Sequence, residues 1–371
     1  MGLKEEIENK TSKIHRDSYQ MSIGELINIY KDSEMDIHPE FQRVFRWSEY
    51  QKTKLIESIM LNIPIPSIFV SQNDDGVWDI IDGVQRLSTI FQFVGIFKNE
   101  KGELEKPLIL QKTDYLPSFE GKQWNGENEE NQFSNDQKID FKRARIDIII
   151  LKKESDPNTK YELFQRLNTG GTFLSGQEVR NCLMIMTNKT FYEFVKQLEN
   201  EESYRCCVPI SDRKEDEQYR MELILRLFIA LNMDLNKANG YQDLTQLLDK
   251  ETLLLCDKTI DYDQERQSFI ETFRLLKDVL DENTFKIYAQ KPSGQHVHHG
   301  PFLSSAFQSI AVGVFKNLNL ITAKGDKTTW LKEKIEKFYT EETFLENTKP
   351  GVRAIPRFKE LSLFGMDYFK P

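Results

Sequence analysis

The chain has 371 residues, 39% hydrophobic and 11% aromatic, enough apolar mass for two or three domains with real cores and too much for a disordered chain. Its 50 Lys and Arg stand against 59 Asp and Glu, a formal charge of −9, so the bulk field repels polyanions and excludes indiscriminate nucleic-acid coating. Any anion chemistry has to be local.

In chain order, Ser48 and Gln51 have the spacing of a capping box, and Leu55, Ile56, Ile59 and Met60 form an apolar stripe, which predicts a helix over 48–60 ended by Pro64 and Pro66. Ile65 to Ser71 and Val77 to Ile81 are β-rich and flank the turn cluster Asn73-Asp74-Asp75-Gly76, which predicts a hairpin whose second strand stops at Asp82-Gly83. Leu87, Ile90, Phe91, Val94 and Phe97 then recur at helical spacing, making a strand–turn–helix unit. Gly121 to Gln137 is polar and reads as a surface loop or insertion. Ala144 to Leu151 reads as a mostly buried strand, and Tyr161 to Leu167 as a helix closed by the tight loop 168–171.

A domain change is expected near Gly170 to Ser175, where Ser175 and Glu178 restart a helix as a capping box. From there the apolar period stays helical through Val179 to Met186, Phe191 to Leu198, Tyr219 to Leu231, Leu244 to Leu255, Phe269 to Leu280, Phe302 to Leu320 and Trp330 to Phe338. Loops are expected near Val208 to Glu217 and Lys291 to Pro301, and a tail with Pro350 and Pro356 is free to dock on the bundle. The fold class expected is α+β: a small mixed sheet with helices over 1–174, then an all-α domain over 175–371. Cys182, Cys206, Cys207 and Cys256 carry no C-x-x-C spacing and read as buried thiols of a reducing compartment. No stretch approaches the roughly 18 apolar residues of a membrane span, so a soluble, cytoplasmic protein without a membrane partner is expected.

Three segments can carry chemistry. Asp82-Gly83-Val84-Gln85-Arg86 lies where a strand meets a helix; a helix start offers free amides, Gly83 allows close approach, and Arg86 is a planar fork of donors, a combination suited to phosphate. The same Asp82 and Gln85 also have the spacing of an ordinary capping box. His38 to Trp47 interleaves Arg43 and Arg46 with Phe41, Phe45 and Trp47, suited either to clamping phosphate and stacking or to core and salt bridges. Phe164 to Asn181 places a glycine pair before a capped helix, a second anion nest or a plain helical connection.

Other groups are weaker. His296, His298 and His299 can ligate a metal or sit in a loop, and no paired carboxylate pattern follows them. Glu222 and Arg226, one helical turn apart in an apolar helix, read as a buried ion pair. Lys142, Arg143 and Arg145, and Lys349, Arg353, Arg357 and Lys359, are local basic clusters that face either DNA phosphate or solvent.

Taken in order, the motifs resemble those of the DUF262 family, which includes the N-terminal half of GmrSD-type modification-dependent restriction enzymes. The resemblance rests on Pro39, Phe41, Gln42, Arg43 and Trp47, on Asp82 through Thr89, on Arg166 to Asn181, and on Arg220 to Arg226, and spans Ile23 to Leu231. It implies a ParB/sulfiredoxin-like α/β core that binds and can hydrolyse a nucleoside triphosphate, in defence against foreign or modified DNA. Carried over by position, Asp82, Gly83, Gln85 and Arg86 would hold phosphates or Mg²⁺, with Gln42 and Arg43 completing the site. Asp82, Gln85 and Arg86 are thus the catalytic candidates, Gln42 or Gln85 orienting water and Arg43 and Arg86 neutralising phosphate.

Two departures shape the expectation. Val84 replaces the family's usual first Gln, so binding is better supported than hydrolysis. The His-centred metal nuclease motif carried by nuclease-active relatives has no convincing counterpart, so a separate nuclease or effector subunit would supply cleavage. The expected role is a nucleotide-binding sensor or regulator; the alternative is a non-catalytic DNA- or protein-binding module with a relic pocket. Oligomeric state is left open.

Overall fold

The computed structural model describes residues 2–5, 16–37, 47–73, 75–99, 102–126, 128–152, 175–290 and 294–371. The chain divides into two compact units, 1–174 and 175–371. The Tyr161–Leu167 helix, the 168–171 loop and residues 38–46, with Gln42 and Arg43, lie outside the described residues.

The first unit is built on a five-stranded mixed sheet, ordered β1-β5-β3-β4-β2, from β1 (Arg16–Ser22), β2 (Met35–Asp36), β3 (Ile68–Gln72), β4 (Trp78–Asp82) and β5 (Arg145–Leu151). The β3–β4 hairpin turns where the sequence predicts, with the Asn73 amide bonded to the Val77 carbonyl and Asp75 Oδ1 accepting from the Val77 amide. β5 runs parallel to β3 in the middle of the sheet, which suits its isoleucine run, and β1 closes one edge antiparallel to β5. Four helices supply the covering layer: α1 (Ile23–Lys31), α2 (Glu49–Met60), α3 (Val84–Phe93) and α4 (Asn135–Arg143). Ile68, Val70, Ile80, Ile146, Ile148 and Ile150 share one core with Leu26, Ile56, Leu87, Phe91 and Phe141 from these helices. The capping box of Ser48 and Gln51 opens α2 as expected.

Two expectations need correction here. The helix after Gly83 stops at Phe93, because Gly95 takes a left-handed φ of 76° and turns the chain; Val94 and Phe97 are still buried beyond its end. The 121–137 segment is no simple surface loop: Trp124 and Phe133 are buried and meet Phe93 edge-on at 5.6 and 5.0 Å, and Ser134 with Gln137 forms the capping box of α4. Two large rings anchor a segment whose remaining residues are polar.

The second unit is helical: α5 (Gly176–Thr187), α6 (Lys189–Glu199), α7 (Glu202–Cys207), α8 (Asp212–Asp216), α9 (Tyr219–Asn232), α10 (Leu244–Cys256), α11 (Tyr262–Leu280), α12 (Ser304–Lys316), α13 (Leu318–Thr322), α14 (Lys327–Phe338), α15 (Glu342–Thr348) and α16 (Ala354–Tyr368). The apolar α9 is buried along most of its length. The tail docks as α16 on α12, where Gly313 and Gly365 lie so close to the facing backbone that neither position has room for a Cβ. Contrary to the all-α expectation, β6 (Ile287–Gln290) and β7 (His296–His299) form an antiparallel hairpin where a loop was expected around the histidines. The expected loop at 208–217 likewise contains the short α8.

Candidate functional site

The strand–turn–helix junction is formed as the sequence predicts, but its local chemistry differs. Asp82 ends β4, and Gly83 rather than Asp82 is the N-cap of α3, in the left-handed region at φ 103°. The expected Asp82/Gln85 capping box is therefore absent, because a cap at Gly83 moves both side chains one position out of register with the free amides. Gly83 lies against Ile68, and a Cβ there would stand 2.9 Å from Ile68 Cγ1. No side chain caps α3, and its first intrahelical bond runs from Leu87 N to Gly83 O. The amides of Val84, Gln85 and Arg86 precede that bond and make the dipole-positive end of a ten-residue helix.

Arg86 is 9% exposed. One nitrogen of its fork donates to the Pro66 carbonyl and, at 3.1 Å, to the Ser67 carbonyl; the other donates to Asp82 Oδ2 at 2.7 Å. The guanidinium thus clamps the chain leading into β3 to the end of β4, directly behind the free amides. Asp82 remains about half exposed, its side chain 44% accessible beside this clamp. Gln85 uses its side-chain oxygen to accept from the Trp47 amide at 3.3 Å. Val84, in place of the Gln that the motif leads one to expect, packs partly buried against the core.

The junction therefore joins Asp82, Gly83, Gln85 and Arg86, and through Trp47 it reaches the end of the Pro39–Trp47 motif. Sequence reasoning missed the Pro66 and Ser67 carbonyls. Their signal was Pro64 and Pro66, which hold this stretch extended and outside any helix, so its carbonyls need donors from elsewhere.

The downstream motifs form a separate cluster inside the second unit. Ser175 and Glu178 make the expected capping box of α5. Arg180, 1% exposed, donates to Asp249 at 3.0 Å, to Glu222 at 2.5 Å and to Gln177 at 2.9 Å, and Glu222 takes its expected bond from Arg226 at 2.6 Å. Two arginines and two carboxylates balance in a buried, hydrogen-bonded network that fixes α5, α9 and α10 to one another. Burial, with Glu217 and Asp216 nearby, raises the Glu178 carboxyl to about 7.

Among the described residues no group of three or more His, Cys, Asp or Glu side chains could hold a metal ion. His298 Nδ1 bonds the Lys286 carbonyl at 3.1 Å, and burial lowers its pKa despite that carbonyl and Glu336. Cys182, Cys207 and Cys256 are buried and Cys206 is partly exposed; all four are free thiols. Of the basic clusters, Lys142 lies over the Trp124 ring, Lys349 pairs with Glu346, and Arg357 donates to the Asn347 and Val352 carbonyls. No helix among the described residues is long and apolar enough to cross a membrane.

The family described as GmrSD restriction endonuclease, N-terminal domain, matches residues 23–185, a little under half of the chain. No curated protein and no solved structure matches. The match covers β2 to β5, the Asp82–Arg86 junction and most of α5, so over residues 23–185 the chain is similar to the GmrSD N-terminal-domain family whose motifs its sequence resembles.

Proposed function

We propose that the chain is a nucleotide-binding component of a restriction or phage-defence system, acting as sensor or regulator, with DNA cleavage supplied by a separate nuclease or effector subunit. On this reading the first unit is ParB/sulfiredoxin-like, and it works in the cytoplasm on foreign or modified DNA. The observation that carries the reading is the uncapped start of α3 behind a left-handed Gly83. An N-terminus without a side-chain cap leaves amides for an external acceptor, and glycine at φ 103° lets the chain turn from β4 into α3 directly against Ile68. In an acidic chain such a site holds an anion through local geometry rather than bulk charge.

The amides of Val84, Gln85 and Arg86 would face the phosphates, with the Arg86 charge set behind them and Gln42 and Arg43 closing the site. Asp82 is a single, half-exposed carboxylate already paired with Arg86, so it makes no metal cage by itself. Mg²⁺ would arrive with the triphosphate, held mainly by phosphate oxygens and water, and would neutralise their charge. The site supplies no evident general base.

A second reading, a non-catalytic binding module with a relic pocket, is favoured by one observation. Val84 is partly buried against the core, so the polar contact that the motif leads one to expect there is missing. Binding of each labelled nucleoside triphosphate with Mg²⁺ to wild type and Arg43→Ala, followed by phosphate release from the same samples, separates the readings. Binding that weakens in the variant supports the nucleotide site, and phosphate release adds hydrolysis. Absence of binding to any of the four nucleotides would leave the binding-module reading in its place.

A further inference from the structure

The second unit carries an open cleft of about 460 Å³ where the end of α9, the 3-10 turn Leu235–Gly240 and the end of α10 meet. That volume lies within the usual span of small-molecule sites, roughly 300–1,000 Å³. Its apolar lining is Ile229, Met233, Leu254 and Leu255, of which Leu254 is 59% exposed and offers a ligand apolar surface to cover. Its charged lining is unevenly used. Asp234 Oδ1 caps the 3-10 turn by accepting from the Asn236 amide at 3.1 Å, and Glu251 accepts from the Tyr241 hydroxyl, so both carboxylates are engaged within the chain. The ammonium groups are not neutralised in this way. Lys237 has no side-chain hydrogen bond or ion pair among the described residues, and Lys258 donates only to the neutral Asn232 side chain. Glu265 feels the Lys258 charge but forms no ion pair with it.

We propose that this cleft binds a small organic phosphate, a phosphate monoester on an apolar or aromatic body, with Lys237 and Lys258 taking the phosphate and the four apolar side chains covering the body. Each ammonium carries three donors, so two of them on one cleft leave most of their capacity to an incoming anion. A phosphate dianion matches two such charges, and lysine serves phosphate as a compact point charge. Inorganic phosphate alone would leave Leu254 in water, and a neutral apolar molecule would leave both ammonium groups unmatched. The site shares no residue with the start of α3 and stands independently of the nucleotide reading there.

Backbone amide resonances of residues 236–241 and 251–258, followed while phenyl phosphate is titrated into the whole chain, test the proposal. Saturable shifts are expected in both segments. Inorganic phosphate, which has no ring to bury, should bind at least about tenfold more weakly. The double variant Lys237→Ala, Lys258→Ala should keep the wild-type melting temperature and bind phenyl phosphate about tenfold more weakly, since two charge-assisted contacts at an exposed site are lost. A second variant occludes the cleft and keeps its charge. A Cβ at Gly240 meets no atom within 4 Å and the backbone there is not left-handed, so Gly240→Phe is tolerated and sets a ring at the cleft, where it should cut binding at least as far. Wild-type affinity in either variant would overturn the proposal, as would inorganic phosphate binding as tightly as phenyl phosphate. Shifts confined to Val84, Gln85 and Arg86 would report the α3 site alone and overturn the cleft as a site.

Discussion

Replacing Arg86 by Ala separates a clamp from a ligand. In the structure the guanidinium is nearly buried, its donors shared among the Pro66 carbonyl, the Ser67 carbonyl and Asp82. Truncation leaves two backbone carbonyls without their charged donor, at about 1.5 kcal/mol each. The pair with the half-exposed Asp82 adds little, because water and salt already screen it. A loss of about 3 kcal/mol in a unit of this size corresponds to a melting temperature lower by about 8 °C. Differential scanning calorimetry without nucleotide reads it, with hydrogen exchange of β3 and β4 identifying the transition of the first unit. Arg86→Lys, a point charge without a planar fork, should fall between wild type and Ala. If Arg86→Ala melted within about 1 °C of wild type yet lost nucleotide binding, the clamp argument would be refuted and the fork would belong to the ligand.

Glu178 is raised to about 7 by burial, with Glu217 and Asp216 adding to it. A carboxyl with a raised folded pKa contributes stability below its unfolded value near 4.5 that is lost as pH rises through about 7. Gln can keep the capping box without that ionisation, so Glu178→Gln should stabilise the second unit at pH 8 by up to about 3 kcal/mol and by almost nothing at pH 4.5, read as denaturation midpoints. His298 has the opposite sign: its folded pKa is lowered by burial, so its contribution is present above the unfolded value near 6.5 and lost as pH falls. Melting temperatures between pH 7.5 and 5.5 should therefore drop more in wild type than in His298→Gln, and equal slopes would contradict the burial argument. Gly365→Ala pushes a Cβ into the backbone at Ser309, and should release α16 from α12, read as rapid exchange across 354–368. Ala there with undisturbed protection would show that the helices can separate at little cost.

Features held by residues close in sequence were legible. Ser48 with Gln51 and Ser175 with Glu178 announce helix starts because a capping box closes within one turn, and the run from Ile148 to Leu151 announces a buried strand because nothing polar interrupts it. β1 was not legible: its exposed, polar Arg16–Ser22 sequence becomes a strand only by pairing with β5, some 130 positions away, and an edge strand carries no apolar alternation of its own. The histidine hairpin was missed for a related reason, since each of its four-residue strands is defined by the other.

The candidate site divides along the same line. Its place, at the end of a strand and the start of a helix, followed from Asp82-Gly83 and the apolar period behind it. Its wiring did not, because one backbone angle at Gly83 decides the cap, and the partners of Gln85 and Arg86 sit 38 and about 20 positions away. Pattern reading also placed Glu222 with Arg226 but not Arg180 and Asp249, whose carboxylate and guanidinium meet only once α5 and α10 have packed.

The central claim is that the first turn of α3 holds phosphate. Backbone amide resonances of Val84, Gln85 and Arg86, followed while a non-hydrolysable nucleoside triphosphate with Mg²⁺ is titrated into the whole chain, test it most directly. The account predicts that these three amides shift first and furthest, saturating together. Saturable shifts confined to another part of the chain, or no shift with any of the four nucleotides, would contradict it.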